Sequence, residues 1–161
     1  LHFLENHDEQ RIASQFFAGN PFRAIPAMTI SATIDQGPVM IYFGQEVGEP
    51  GKGAEGFGGE DGRTTIFDYW SAPEHQKWYN NGNCNDSLLS QGQKDLRQYY
   101  QTILNFAQSN EAIVRGKYAD ITTYNIEKAN FGNDVHAFLR YTENEVLLII
   151  NSFNDVPMQI E

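Results

Sequence analysis

Glu5-Asn6-His7-Asp8, with Arg11 three residues on, gathers carboxylates, an imidazole, an amide and a guanidinium into one short span. A carboxylate beside an imidazole can grip polar groups of a bound molecule and stabilise positive charge that develops during a reaction. Each of these residues also has a structural reading. Asp8 is a favoured N-cap for a helix beginning near Glu9. His7 reads as a turn histidine. Arg11 is either a charge on a helix surface or the partner that fixes Asp8 as an anion. Further along, Glu46 reads as a loop-positioning residue rather than an acid, and Arg63 suits either a binding or a positioning role. Gly51-Lys52-Gly53 has a superficial likeness to a phosphate-binding loop, but that loop needs Gly where Glu46 stands and Ser or Thr where Gly53 stands. His2, His75 and His136 lack metal-ligand spacing, so neither a metal nor a cofactor is expected.

The elements around these residues follow from periodicity and punctuation. Leu1 to Leu4 is a short β-like run that stops at Glu5-Asn6-His7-Asp8, which puts the candidate chemistry at a strand end. Asn20-Pro21 opens a helix that runs through Met28 and Ile34 and is closed by Gly37-Pro38. Val39 to Phe43 is a continuous apolar run between Pro38 and Gly44, as a strand buried on both faces requires. Strand, helix and strand make a βαβ unit. From Gly44 to about Asn85 the composition turns to Gly, Glu and Asn with scattered aromatics, and so long a connector reads as a site-forming loop region. Gln91 to Ser109 is helical, with Leu96, Tyr99, Tyr100, Ile103, Leu104 and Ala107 on one face. Beyond Arg115-Gly116 the period becomes that of strands, over Tyr118 to Ile126, Val135 to Tyr141 and Val146 to Ile150, with turns at Asn133-Asp134 and Glu143-Asn144.

Three ordered segments resemble the α-amylase family of glycoside hydrolases. Phe3-Leu4-Glu5-Asn6-His7-Asp8 with Arg11 is similar to the family's seventh-strand motif, Phe-x-x-Asn-His-Asp. Gly37-Pro38-Val39-Met40-Ile41-Tyr42-Phe43-Gly44-Gln45-Glu46 is similar to its eighth-strand pattern, Gly-x-Pro-x-Ile-Tyr-Tyr-Gly-x-Glu. Arg63-Thr64-Thr65-Ile66-Phe67-Asp68-Tyr69 resembles a following loop in which Thr65 replaces the usual Pro. The resemblance implies an α/β fold: the last two strand-helix units of a TIM (β/α)8 barrel over residues 1–114, then part of an antiparallel β-sandwich over 115–161. It implies that Asp8 is the transition-state-stabilising carboxylate and that His7, Asn6 and Arg63 bind substrate, with Arg11 and Glu46 in support. The family's nucleophile and acid/base follow earlier strands. The chain is therefore expected to be an excerpt, inactive alone, that completes its site with the N-terminal barrel portion of the same protein. The implied substrate is an α-glucan or maltooligosaccharide, and a non-catalytic carbohydrate-binding or assembly module is the other reading.

The bulk properties narrow the partners. A net charge of −10 over 161 residues repels phosphate backbones and anionic membrane surfaces, so neither nucleic acid nor membrane is expected. Cys84 is the single cysteine, which excludes an intrachain disulfide and leaves localisation open. Trp70, Trp78 and Tyr79 suit stacking on sugar rings or anchoring a loop equally well. Two barrel strands with open edges, Leu1 to Leu4 and Val39 to Phe43, predict self-association. More strands are expected after Ile160.

Overall fold

The computed structural model describes residues 1–53, 59–67, 69–128 and 131–159; Asp68 of the third motif and Ile160 lie outside them. Two compact units divide the chain, Leu1–Ile25 with Val39–Thr102, and Pro26–Pro38 with Ile103–Glu161. Helices α1 (Ile25–Thr33), α2 (Pro73–Tyr79), α3 (Gln91–Ser109), α4 (Glu111–Val114) and α5 (Thr122–Lys128) accompany strands β1 (Lys117–Asp120), β2 (Val135–Tyr141) and β3 (Val146–Ser152).

In the first unit, polar side chains begin three of the helical segments. Asn20 accepts the Phe22 N–H at 3.0 Å and starts the 3-10 turn Pro21–Ala24 that leads into α1. Ser90 and Gln93 form a reciprocal box ahead of α3: Gln93 Oε1 accepts the Ser90 N–H at 3.0 Å, and Ser90 Oγ accepts the Gln93 N–H at 3.3 Å. Helix α2 lacks a cap from its own N-cap residue, Ala72. Glu49, fully buried, supplies it instead, its Oε2 accepting the N–H groups of Glu74 and His75 at 2.9 and 3.2 Å. The six residues expected on one face of α3 are all buried or half-buried.

The two runs expected as neighbouring strands do not form a ladder. One parallel bridge joins His2 to Val39, with the Met40 N–H donating to the His2 carbonyl at 2.9 Å. Pro38 has no N–H to give, and the Tyr42 N–H turns to Gln45 Oε1 at 3.3 Å, so pairing ends where the chain bends at Gly44, whose φ is +80°. A Cβ at Gly44 would lie 2.9 Å from that of Glu49, so only glycine fits the bend. The helix expected near Glu9 is absent as well. Residues 12–18 fold as turns, in which the Ser14 carbonyl accepts from Phe17 and Gly19 at 3.1 and 2.8 Å.

In the second unit, β1, β2 and β3 form an antiparallel sheet in that order. The β2–β3 hairpin turns at Thr142–Glu145, where Thr142 Oγ1 accepts the N–H groups of Asn144 and Glu145 at 3.2 and 3.1 Å. Phe131, Val135 and Ala137 are buried together, with Ile121 and Met158 packed against them. The first expected strand, Tyr118 to Ile126, divides after Asp120: its first half is β1 and its second is α5. Asp120 Oδ1 accepts the Thr122 N–H at 2.9 Å and starts the helix, an arrangement that overrides the strand preference of Thr122, Thr123 and Tyr124. Residues 26–38 and 103–114 group with the β residues in the second unit. Arg140 supplies the physical tie, donating from one buried guanidinium to the carbonyls of Ile34, Ala112, Ile113 and Gly116.

Candidate functional site

The segment from Glu5 to Ile12 is a loop shaped by its own side chains. Asn6 Oδ1 accepts the N–H groups of Asp8 and Glu9 at 2.8 and 2.9 Å, an Asx turn that bends the chain outward. His7 and Asp8 then stand at the tip, with Nε2 and Oδ2 3.5 Å apart and side chains 52% and 68% exposed. The N-cap reading of Asp8 fails here, because no helix follows it, and the capping geometry belongs to Asn6.

The base of the loop is buried and ionic. Arg11 Nη1 meets Glu5 Oε2 at 2.8 Å, with the two side chains 0% and 3% exposed. The other oxygen of Glu5 accepts the Ile12 N–H at 2.7 Å. Burial pushes the Glu5 carboxyl upward from its usual range, against the opposing pull of Arg11. The guanidinium lies over two rings, 4.2 Å from the Tyr42 centroid and 4.7 Å from that of Phe43. Both expectations for Arg11 are corrected by this geometry. It is not on a helix surface, since residues 9–18 form none, and its ion-pair partner is Glu5 rather than Asp8.

Arg63 reaches the same region from a second loop. Its Nη2 and Nε meet Asp61 Oδ2 at 2.6 and 2.7 Å, and its backbone N–H donates to Asp61 Oδ1 at 3.0 Å. The hydrogen bond to Asp61 chiefly raises the affinity of Arg63 for its proton, and the Asp8 carboxylate adds a smaller contribution. The same hydrogen bond from Arg63 holds the Asp61 carboxyl below its usual range.

Glu46 sits elsewhere, in the 3-10 turn Gln45–Val47, where its charge acts on His75 and Tyr100. Burial lowers the His75 pKa, against the pull of Glu46 and Glu49. The aromatic residues divide by role: Trp78 lies under Arg97 at 3.6 Å, whereas Trp70 is 59% exposed and packs edge-on against Tyr69 at 4.8 Å. A cleft of about 520 Å³ in the same unit is lined by Gln15, Lys52, Glu74, Lys77 and Gln93, among others, but not by His7, Asp8 or Arg63. The described residues contain no cluster suited to a metal ion, and none of their helices is long and apolar enough to cross a membrane.

Sequence reading gave no supporting role to Glu5, Thr64 or Glu49, which brace the loops. Glu5 and Arg11 stand at the two ends of the turn, and opposite charges that bracket a turn-forming Asn are a readable signal for closure. Glu49 caps a helix 24 residues downstream, which no local pattern announces.

No family model matches the chain, and neither does any curated protein. Solved structures do match. AmyP in complex with maltose is 23% identical with a TM-score of 0.62, covering 94% of this chain and 30% of its own. MutB, as a variant soaked with trehalulose, is 18% identical with a TM-score of 0.59, covering 94% and 34%. Trehalose-6-phosphate hydrolase (TreA) of Bacillus licheniformis is 19% identical with a TM-score of 0.55, covering 94% and 34%. These are enzymes of glycoside hydrolase family 13, the α-amylase family, and at such identities the likeness is one of fold. The chain spans about a third of the length of each.

Proposed function

We propose that this chain is the C-terminal portion of a retaining glycoside hydrolase acting on α-glucosidic bonds in starch-like oligosaccharides, and that the Glu5–Ile12 loop forms part of its first-sugar subsite. The carrying observation is an exposed Asp8 and His7, 3.5 Å apart, on a loop closed by the buried Glu5–Arg11 pair, whose guanidinium also bonds Thr64 beside Arg63. Such a loop presents a carboxylate and an imidazole to solvent above a buried, ion-paired foot. The maltose in the AmyP complex is a saccharide of this class.

In this reading Asp8 accepts hydrogen bonds from two sugar hydroxyls, His7 donates to a third, and Arg63 adds a further donor to the same sugar. As positive charge develops on the ring, the bonds to Asp8 strengthen, which favours the transition state over the ground state. Cleavage with retention also needs a nucleophile and an acid about 5 to 5.5 Å apart. We assign both to the preceding part of the barrel, to which residues 1–114 contribute the last two strand-helix units and residues 115–161 add the start of the β-sandwich. Glu46 remains a positioning residue. Asn6 shapes the loop with its carbonyl and leaves its amide group for the sugar.

Calorimetric titration of the purified chain with maltotriose tests the reading. Binding should be measurable in the wild type and lost in Asp8→Asn and His7→Ala, with no reducing sugar released. Equal affinity in Asp8→Asn would overturn the subsite. Binding that survives both substitutions would favour a carbohydrate-binding module whose site lies elsewhere, and release of reducing sugar would overturn the assignment of the catalytic pair to another part of the protein.

A further inference from the structure

One guanidinium touches all three sequence motifs. Arg11 belongs to the first and is paired there with Glu5 at 2.8 Å. Its plane lies over Tyr42 and Phe43 of the second. Its Nε donates to Thr64 Oγ1 of the third at 3.0 Å, and its backbone N–H donates to the Gly62 carbonyl at 2.7 Å. Tyr42 closes the circuit, because its hydroxyl donates to the Thr64 carbonyl at 2.9 Å. Thr64 is fully buried.

We infer that Arg11, held between Glu5 and Thr64, is a positioning residue that fixes Asp8 relative to Arg63 across two separate loops. The inference rests on the sugar-binding reading of those two side chains. Glu5 precedes Asp8 by three residues, and Thr64 directly follows Arg63, so the bracket acts at the root of both. Beyond these roots, Asn6 bonds the backbone of its own loop and Arg63 pairs with Asp61. The planar fork of a guanidinium is what the job needs. Two donors leave it in directions fixed by the plane, and its Cζ lies within 4.7 Å of both ring centroids. A lysine keeps the charge but not the divergent pair of hydrogen bonds, and a merely stabilising ion pair would not require a third partner on the opposite loop.

The test uses the whole chain with Thr64→Val, which keeps the shape but removes the acceptor, Thr64→Ser, which keeps the acceptor, and Arg11→Lys. Three readouts are taken: maltotriose affinity, the coupling between Asp8→Asn and Arg63→Gln in a double-mutant cycle, and exchange rates of the Arg11 and Ile12 amide protons. Thr64→Val and Arg11→Lys should weaken maltotriose binding about fivefold or more, while Thr64→Ser stays close to wild type. The Asp8–Arg63 coupling should disappear in the Thr64→Val background. Exchange at Arg11 and Ile12 should accelerate while the β2–β3 amides are unchanged. Unaltered exchange and intact coupling in Thr64→Val would overturn the bracket, even if affinity fell. If the wild type binds no maltotriose, the sugar reading fails and exchange alone decides: faster exchange sustains the bracket, and unchanged exchange overturns it.

Discussion

The Glu5–Arg11 pair has no solvent to share its charge, so each partner depends on the other. The Arg11 and Glu5 side chains are 0% and 3% exposed, and a lone buried charge loses several kcal/mol of hydration with nothing to replace it. Glu5→Leu alone should therefore destabilise the chain by about 3 to 5 kcal/mol, whereas Glu5→Leu with Arg11→Met should recover most of that loss. Urea unfolding of the three proteins checks this, and equal loss in the single and double variants would contradict it. His75 gives a pH effect of definite sign. Burial holds its folded pKa below the ordinary histidine value, so the unfolded chain binds the proton more readily and stability falls as pH drops through the range below 6.5. Thermal unfolding between pH 5 and 7.5 should show this slope in the wild type and a shallower one in His75→Gln. Asn6, His7 and Asp8 are singled out by residue type and order, which suffice for a motif. The partner of Arg11 is not, since burial decides between Asp8 and Glu5, and burial is a property of the fold.

At the level of elements, legibility followed the range of the interactions. Helix α3 was readable over its full length because its apolar spacing is local. The runs 1–4 and 39–43 were read as strands from composition, yet a ladder depends on what neighbours them, and the single His2–Val39 bridge is all that forms among the described residues. Residues 122–128 misled in the opposite direction, as their strand preference yields to the Asp120 cap. The short α4 is the clearest case of an element made by remote residues. Glu145 Oε2 accepts the Ala112 N–H at 2.6 Å near its start, and Arg140 takes the carbonyls of Ala112 and Ile113 at its end. One hairpin thus supplies an anion where a helix presents free N–H groups and a cation where it presents free carbonyls. Arg140→Met should cost on the order of 3 kcal/mol, because buried carbonyls lose charge-assisted donors. Arg140→Lys should recover only part, since one ammonium cannot span four carbonyls. Differential scanning calorimetry of the two variants orders them, and a lysine variant as stable as wild type would show that charge alone suffices.

For the molecule as a whole, solubility is a contest between charge and exposed apolar strand. A net charge of −10 holds copies apart. Against it, β3 is an edge of the sheet, and its outward residues Val146, Leu148 and Ile150 are 67%, 56% and 46% exposed. An unpaired edge with an apolar face is a template for a second strand, and Val146 to Ile150 carries no charge to blunt it. The sequence placed self-association at the runs 1–4 and 39–43 instead. The two sites can be separated, because their residues lie in different units. Repulsion between exposed charges is screened over about 10 Å at 0.1 M salt, whereas apolar contact is not weakened by salt. Sedimentation velocity of the purified chain should therefore show association that increases with sodium chloride. Leu148→Lys should suppress it by setting an ammonium on the contact face, while Met40→Lys should leave it unchanged. The reverse pattern would move the contact to the 39–43 run, and dispersed monomer at all salt concentrations would show that the charge prevails over both edges.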